Sequence, residues 1–194
     1  MKEQLKKAGS FAAKQAKRIT VALIIIVTVL LDQLSKLVTL QNLDYISKNK
    51  PITVIGGILN ISFTTNDGAA WGMFDDQRWL FMTISTVAII GIGIYLFGFC
   101  KEGWLYQIGL ALIIGGGIGN MIDRVAYGYV VDMLEFGFMK FPIFNVADSF
   151  VCIGAGLVML ILIIELFKPA RKEEKAQEQE SEPLEEPTEE NDNN

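Results

Sequence analysis

The polar residues of this chain interrupt apolar stretches of membrane length instead of alternating with them. Four stretches come close to or exceed the roughly 20 residues a helix needs to cross a bilayer: Ile19–Leu40, Trp79–Phe99, Trp104–Ile122 and Asn145–Phe167. The second and third carry no charge. The first is broken late by Asp32 and Lys36, and the fourth holds Asp148 near its start and Glu165 near its end. Between the first two stretches, Ile52–Ile55 and Ile58–Thr65 are rich in Ile, Val, Thr and Phe and are flanked by Pro51 and Gly56-Gly57. They read as short strands, with Asn66-Asp67-Gly68 as a turn signal. Between the last two, Tyr129–Phe136 reads as a strand and Gly137–Pro142 as a turn. The predicted fold class is an integral membrane protein, mainly α, with four transmembrane helices and a small β-rich segment outside the bilayer.

The pattern divides the chain into a basic lead (1–18, amphipathic or disordered), a membrane domain (19–167) and a tail (168–194). The tail is Glu-, Pro- and Gln-rich from Ala170 onward and is expected to be disordered. The basic start and the run TVALIIIVTVLL also fit a signal peptide. Asp32, Gln33 and Lys36 follow at once, without a small-x-small cleavage site, so an uncleaved first span is expected.

Composition agrees: 51% of the residues are hydrophobic, mean hydropathy is +0.36 and there is no histidine. The net charge of −5 belongs to the tail. Residues 168–194 hold ten acidic and four basic side chains, whereas 1–167 hold twelve and thirteen, for a net +1. No basic patch with interleaved aromatics is present, so nucleic acid is not an expected partner. Lys2, Lys6, Lys7, Lys14, Lys17 and Arg18 precede the first span, Lys101 lies in the short second loop, and Lys168, Arg171, Lys172 and Lys175 follow the last span. The positive-inside bias then puts both termini in the cytoplasm.

That topology brings the polar signatures to one depth, near the outer face: Asp32 and Lys36 on the first span, Asn120, Asp123 and Arg124 on the third, Asn145 and Asp148 on the fourth. Asn66 and Asp132 lie in the outer connections. An Asp at mid-bilayer costs about 2.5–3.5 kcal/mol on insertion scales, so such a cluster points to chemistry. Asp32 and Lys36, spaced i,i+4 with the acid first, read before all as a structural ion pair. Asn120, Asp123 and Arg124 share a helix face, and Arg124 offers a nearby carboxylate a donor fork. Gly115–Gly119 reads as close helix packing, not as a nucleotide loop. Asn145 reads as the N-cap of the fourth span, accepting from the N–H of residue 147 or 148, with Asp148 at the positive end of that helix. Cys100 and Cys152 should lie a membrane thickness apart, too far for a disulfide. Without a histidine base, Cys152 reads as a small buried residue. Two carboxylates held close cannot both ionise easily, which is the basis of an aspartic protease dyad. With neither histidine nor a metal cluster, that is the hydrolytic apparatus the chain can carry.

The set LDQLSK (31–36), TNDGAAWG (65–72), GGGIGNMIDR (115–124), VVDMLEF (130–136) and FNVADS (144–149) resembles bacterial lipoprotein signal peptidase, signal peptidase II, over about residues 19–167. The resemblance implies a four-helix aspartyl endopeptidase without a cofactor. It would cut a prolipoprotein immediately before a cysteine carrying a diacylglyceryl group. By motif, Asp132 and Asp148 would be the catalytic pair. Asn120, Asp123, Arg124, Asn145, Asp32 and Lys36 would support the site. Asn66 and Gly68 would bind substrate from a β-cradle on the bilayer surface. Trp71 and Asp67 stand where Phe and Thr are usual. The implied setting is the bacterial cytoplasmic membrane, with prolipoproteins and membrane lipids as partners and the chain a monomer. Three rivals remain. A presenilin-type protease would carry YD and GxGD signatures, but the chain has GIGN at 117–120. A transporter would spread its carboxylates across the bilayer, and a purely structural membrane protein would leave the paired signatures unexplained.

Overall fold

The computed structural model describes residues 2–43, 45–46, 51–67 and 78–180. Its helices are α1 (Lys2–Gln41), α2 (Arg78–Ile94), α3 (Trp104–Ala126) and α4 (Val146–Glu180), with a π-helical turn, Tyr95–Phe99, closing α2. Four segments are long and apolar enough to cross a membrane: Phe11–Gln41, Met82–Phe99, Trp104–Ala126 and Val146–Phe167. Leu23, Ile26, Leu30, Val87, Ile90 and Ile153 are all about half exposed or more, as suits side chains whose solvent is lipid. Among the described residues, those up to Val158 and those from Met159 form separate compact units.

The glycine-rich run of α3 is the hub of the first unit. Added Cβ atoms would meet α1 at Gly115 (Thr28 and the Ile25 carbonyl), α4 at Gly116 (Ala147 and Val151) and α2 at Gly117 (Ile89). Gly109 and Gly154 likewise meet each other's backbone carbonyls across α3 and α4. Small residues allow this approach in a bilayer, where apolar surface alone does not hold helices together.

The strands β1 (Ile52–Ile55), β2 (Leu59–Asn66) and β3 (Val130–Phe136) form one antiparallel sheet in that order. The β1–β2 turn is closed by the Ile58 N–H on the Ile55 carbonyl at 2.9 Å, with Gly57 at φ +71°. That left-handed position strains any residue with a Cβ. In the β2–β3 pairing Thr64 stands opposite Asp132, beyond a register shift after Ile61. Phe144 then ties the start of α4 to β3. Its carbonyl accepts from Met133 and Leu134 at 2.9 and 2.7 Å, and its N–H donates back to Leu134 at 2.9 Å.

The basic lead, expected to be amphipathic or disordered, is helical from Lys2 and continuous with the first span. Two expectations change. Helix α4 runs past Phe167 to Glu180 where disorder is predicted; its Glu, Lys, Gln and Ala favour helix, and extending a formed helix needs no new nucleus. Residues 181–194 lie outside the described residues, as do Gly68 and Trp71. Cys152 is exposed on α4, not buried, and both cysteines are free.

Candidate active site

Helix α4 opens with a reciprocal cap. The Asn145 Oδ1 accepts the Asp148 N–H at 2.9 Å, and the Asp148 Oδ2 accepts the Asn145 N–H at 3.1 Å. This is the capping-box arrangement with Asn and Asp in place of Ser and Glu, and it holds the Asp148 carboxylate at the helix start. The N–H of Ala147 goes to Asp32 Oδ1 at 2.9 Å, so α1 supplies a second acceptor for the same helix end.

Asp132 reaches the same place from the sheet. Its Oδ1 accepts from Asn145 Nδ2 at 2.6 Å and its Oδ2 from Asn66 Nδ2 at 3.0 Å. Asn145, fully buried, therefore touches both carboxylates: Asp132 through its side-chain amide, Asp148 through its backbone. Asn120 completes the frame. Its Nδ2 donates to Asp148 Oδ1 at 2.7 Å, while its Oδ1 accepts from Asn145 Nδ2 at 2.9 Å and from Lys36 Nζ at 3.0 Å.

Beneath lies the charge that α1 carries into the bilayer. Lys36 is ion-paired with Asp32 at 2.8 Å and with Asp123 at 2.9 Å, all three being almost fully buried. Asp123 also accepts the Val131 N–H at 3.0 Å, fixing β3 beside the site. Buried charges persist only when paired and hydrogen-bonded, and these are. The predicted Asp32–Lys36 pair is thus present, but it is one half of a three-residue bridge.

Two features depart from the sequence reading. Among the described residues Arg124 makes no ion pair: its Nη1 donates to the Asn120 carbonyl at 3.4 Å, so the carboxylate fork does not form. Gln33 emerges as a joint, its Nε2 within hydrogen-bond distance of Asp32, Asp123 and the Gly119 carbonyl at 3.2, 3.0 and 3.1 Å. It sits inside the LDQLSK motif, next to Asp32, but nothing along the chain marks it as facing α3. Gly119 is constrained as well, since a Cβ there would overlap Asp32 Oδ2.

The site holds four carboxylates, Asp32, Asp123, Asp132 and Asp148, against two cations, Lys36 and Arg124. Lys36 is committed to the first two. Burial pushes the Asp132 carboxyl up to about 6, with the charge of Asp148 adding to the rise and the hydrogen bonds from Asn66 and Asn145 opposing it. Asp132 therefore keeps a proton more readily than an ordinary Asp. Asp148, half-buried at the helix N-terminus, sits where the dipole favours negative charge. No group of three or more Asp, Glu, His or Cys side chains among the described residues is placed to hold a metal ion.

Comparison with known proteins identifies the family. The peptidase A8 family profile, described as Signal peptidase (SPase) II, matches residues 24–164. Fold and match together define a multi-pass membrane peptidase of the aspartyl type. The chain belongs to the signal peptidase II family. It is 44% identical to the lipoprotein signal peptidase of Lactobacillus gasseri over 77% of this chain and 96% of that one. It is 40% identical to that of Streptococcus agalactiae over 75% and 93% respectively. A bacterial membrane enzyme solved by the in meso method at 2.3 Å resolution superposes with a TM-score of 0.66 at 31% identity, covering 76% of this chain and 89% of its own.

Proposed function

We propose that this chain removes signal peptides from prolipoproteins, using Asp132 and Asp148 as its catalytic pair. The observation that carries the reading is the sharing of Asn145: one buried residue hydrogen-bonds both carboxylates, one on a strand and one on a helix. The relatives' name, lipoprotein signal peptidase, supplies the substrate class.

In the reaction Asp148, ionised, takes a proton from a water molecule whose oxygen attacks the scissile carbonyl carbon. Asp132, protonated, donates to the carbonyl oxygen as it becomes tetrahedral. Collapse breaks the C–N bond as the carbonyl re-forms and returns its proton to Asp132, and the proton held by Asp148 passes to the leaving amine. Asn145 and Asn120 hold the two carboxylates, and the Asp32–Lys36–Asp123 bridge, with Arg124, supports them. Asn66 engages substrate beside Asp132, and Gly68 follows it in the same motif.

Cleavage falls immediately before a diacylglyceryl cysteine, whose lipid chains keep the scissile bond at the membrane surface. The loop charges support cytoplasmic termini, a site near the outer face and a bacterial cytoplasmic membrane setting. The chain acts as a monomer, and its acidic tail has no catalytic part. Purified protein in liposomes, given a prolipoprotein with and without its diacylglyceryl group, tests this. Cleavage of the lipidated form alone, absent in Asp148→Asn, is the expected result. No cleavage by well-folded wild type would overturn it.

A further inference from the structure

At the end of the helices away from the carboxylates, α1 and the loop after α2 enclose a cavity of about 470 Å³, within the size range of small-ligand sites. Lys14, Lys17 and Arg18 line it from α1, and Lys101 from the loop. The α1 residues are spaced i, i+3 and i+4, so they present their charges from one face. The opposite wall is apolar, with Leu96 and the exposed Phe97 and Phe99.

These cations are not neutralised by the protein. Among the described residues the ion pairs are those of Lys36, and Lys14, Lys17 and Lys101 have none. Arg18 is spent on the framework: its Nη2 donates to the Phe97 carbonyl at 2.7 Å, an acceptor at the π-helical end of α2. Glu102 is the one acid in the cavity wall, and its carboxylate is engaged elsewhere. It accepts the Lys101 N–H at 2.8 Å.

The cavity lies where α1 and α2 meet the membrane boundary, with Phe99 closing one span and Trp104 opening the next. Three unpaired lysines beside exposed aromatic rings at that depth match a phosphate flanked by acyl chains. We propose that this cavity binds the headgroup of an anionic phospholipid, its phosphate held by Lys14, Lys17 and Lys101 and its chains lying along Phe97 and Phe99. Each cation near an anionic headgroup strengthens such binding by roughly fivefold, so the three act together by about a hundredfold. The inference does not depend on the catalytic assignment.

Native mass spectrometry of the full chain in detergent, titrated with phosphatidylglycerol, phosphatidylcholine or inorganic phosphate, tests it. One saturable phosphatidylglycerol adduct is expected, weakened about a hundredfold in a Lys14→Gln, Lys17→Gln, Lys101→Gln variant. It should be unchanged in Lys140→Gln and retained when the same three lysines become Arg. Equal binding of phosphatidylcholine would overturn the proposal, as would loss of binding in the Arg variant. Competition by inorganic phosphate at matching concentration would make the ligand a soluble phosphate and overturn the lipid assignment.

Discussion

Asp132 and Asp148 owe their difference to where each carboxyl is held: one deep on a strand under two amide donors, the other half-buried on the first turn of a helix. Asp132→Asn and Asp148→Asn should each lower cleavage by about a thousandfold or more while leaving the thermal unfolding midpoint nearly unchanged. An Asp132→Asn protein that still processed substrate would remove Asp132 from the chemistry. With Asp132 as the proposed proton donor and its carboxyl raised to about 6, kcat/KM should fall as pH rises through about 6. Asn66 donates to the carboxylate and so favours its ionised form. Asn66→Ala should therefore move that alkaline limb to higher pH, and an unmoved limb would mean the bond does not tune the acid. With 3.8 as the unfolded value and about 6 in the fold, the contribution of Asp132 is complete below about pH 4 and is lost as pH rises through 6.

At the scale of the element, one helix start and one glycine run hold the site. Asn145→Ala removes the cap of α4, worth about 1 kcal/mol, and leaves the buried Asp132 carboxyl and the Asn120 amide oxygen without its side-chain donor, each loss worth roughly 1–3 kcal/mol. Both a lowered unfolding midpoint and lost activity are expected, in contrast to the activity-only loss of the aspartate variants. On α3, Gly116→Leu drives a side chain into Ala147 and Val151 of α4. It should destabilise by at least about 1–3 kcal/mol. Gly91→Leu, on α2 with nothing within 4 Å of its added Cβ, is the matched control and should be near neutral. Equal effects in the two would mean that close approach at α3 does not hold the bundle.

For the whole molecule the testable quantity is orientation. In a Cys100→Ser, Cys152→Ser background, Lys140→Cys, beside the sheet, should react with a membrane-impermeant thiol reagent on intact cells. Lys14→Cys should react only after permeabilisation. The reverse pattern would put the carboxylates on the cytoplasmic face and contradict the loop-charge argument. The apolar exteriors of the helices, with Leu30, Ile84, Val87 and Ile153 exposed, are stable only with lipid around them. Unfolding comparisons therefore belong in bilayers or matched detergent.

Most of the architecture was legible in the chain because it rests on length and local pattern. Four apolar stretches, three short β-prone runs, the Asn145 cap and the Asp32–Lys36 pair are all set by residues within a few positions of one another. The family motifs likewise named the two aspartates before any geometry. Tertiary structure decided what depends on distant residues meeting. Gln33 joins α1 to α3, Asp32 caps α4 from 115 positions away, and Lys36 serves two acids where the i,i+4 spacing indicated one. Arg124 turns to a backbone carbonyl, and Cys152 faces outward. Periodicity tells which residues share a face of one helix; which neighbour that face meets is settled only when glycine contacts and a three-stranded sheet bring the helices into place.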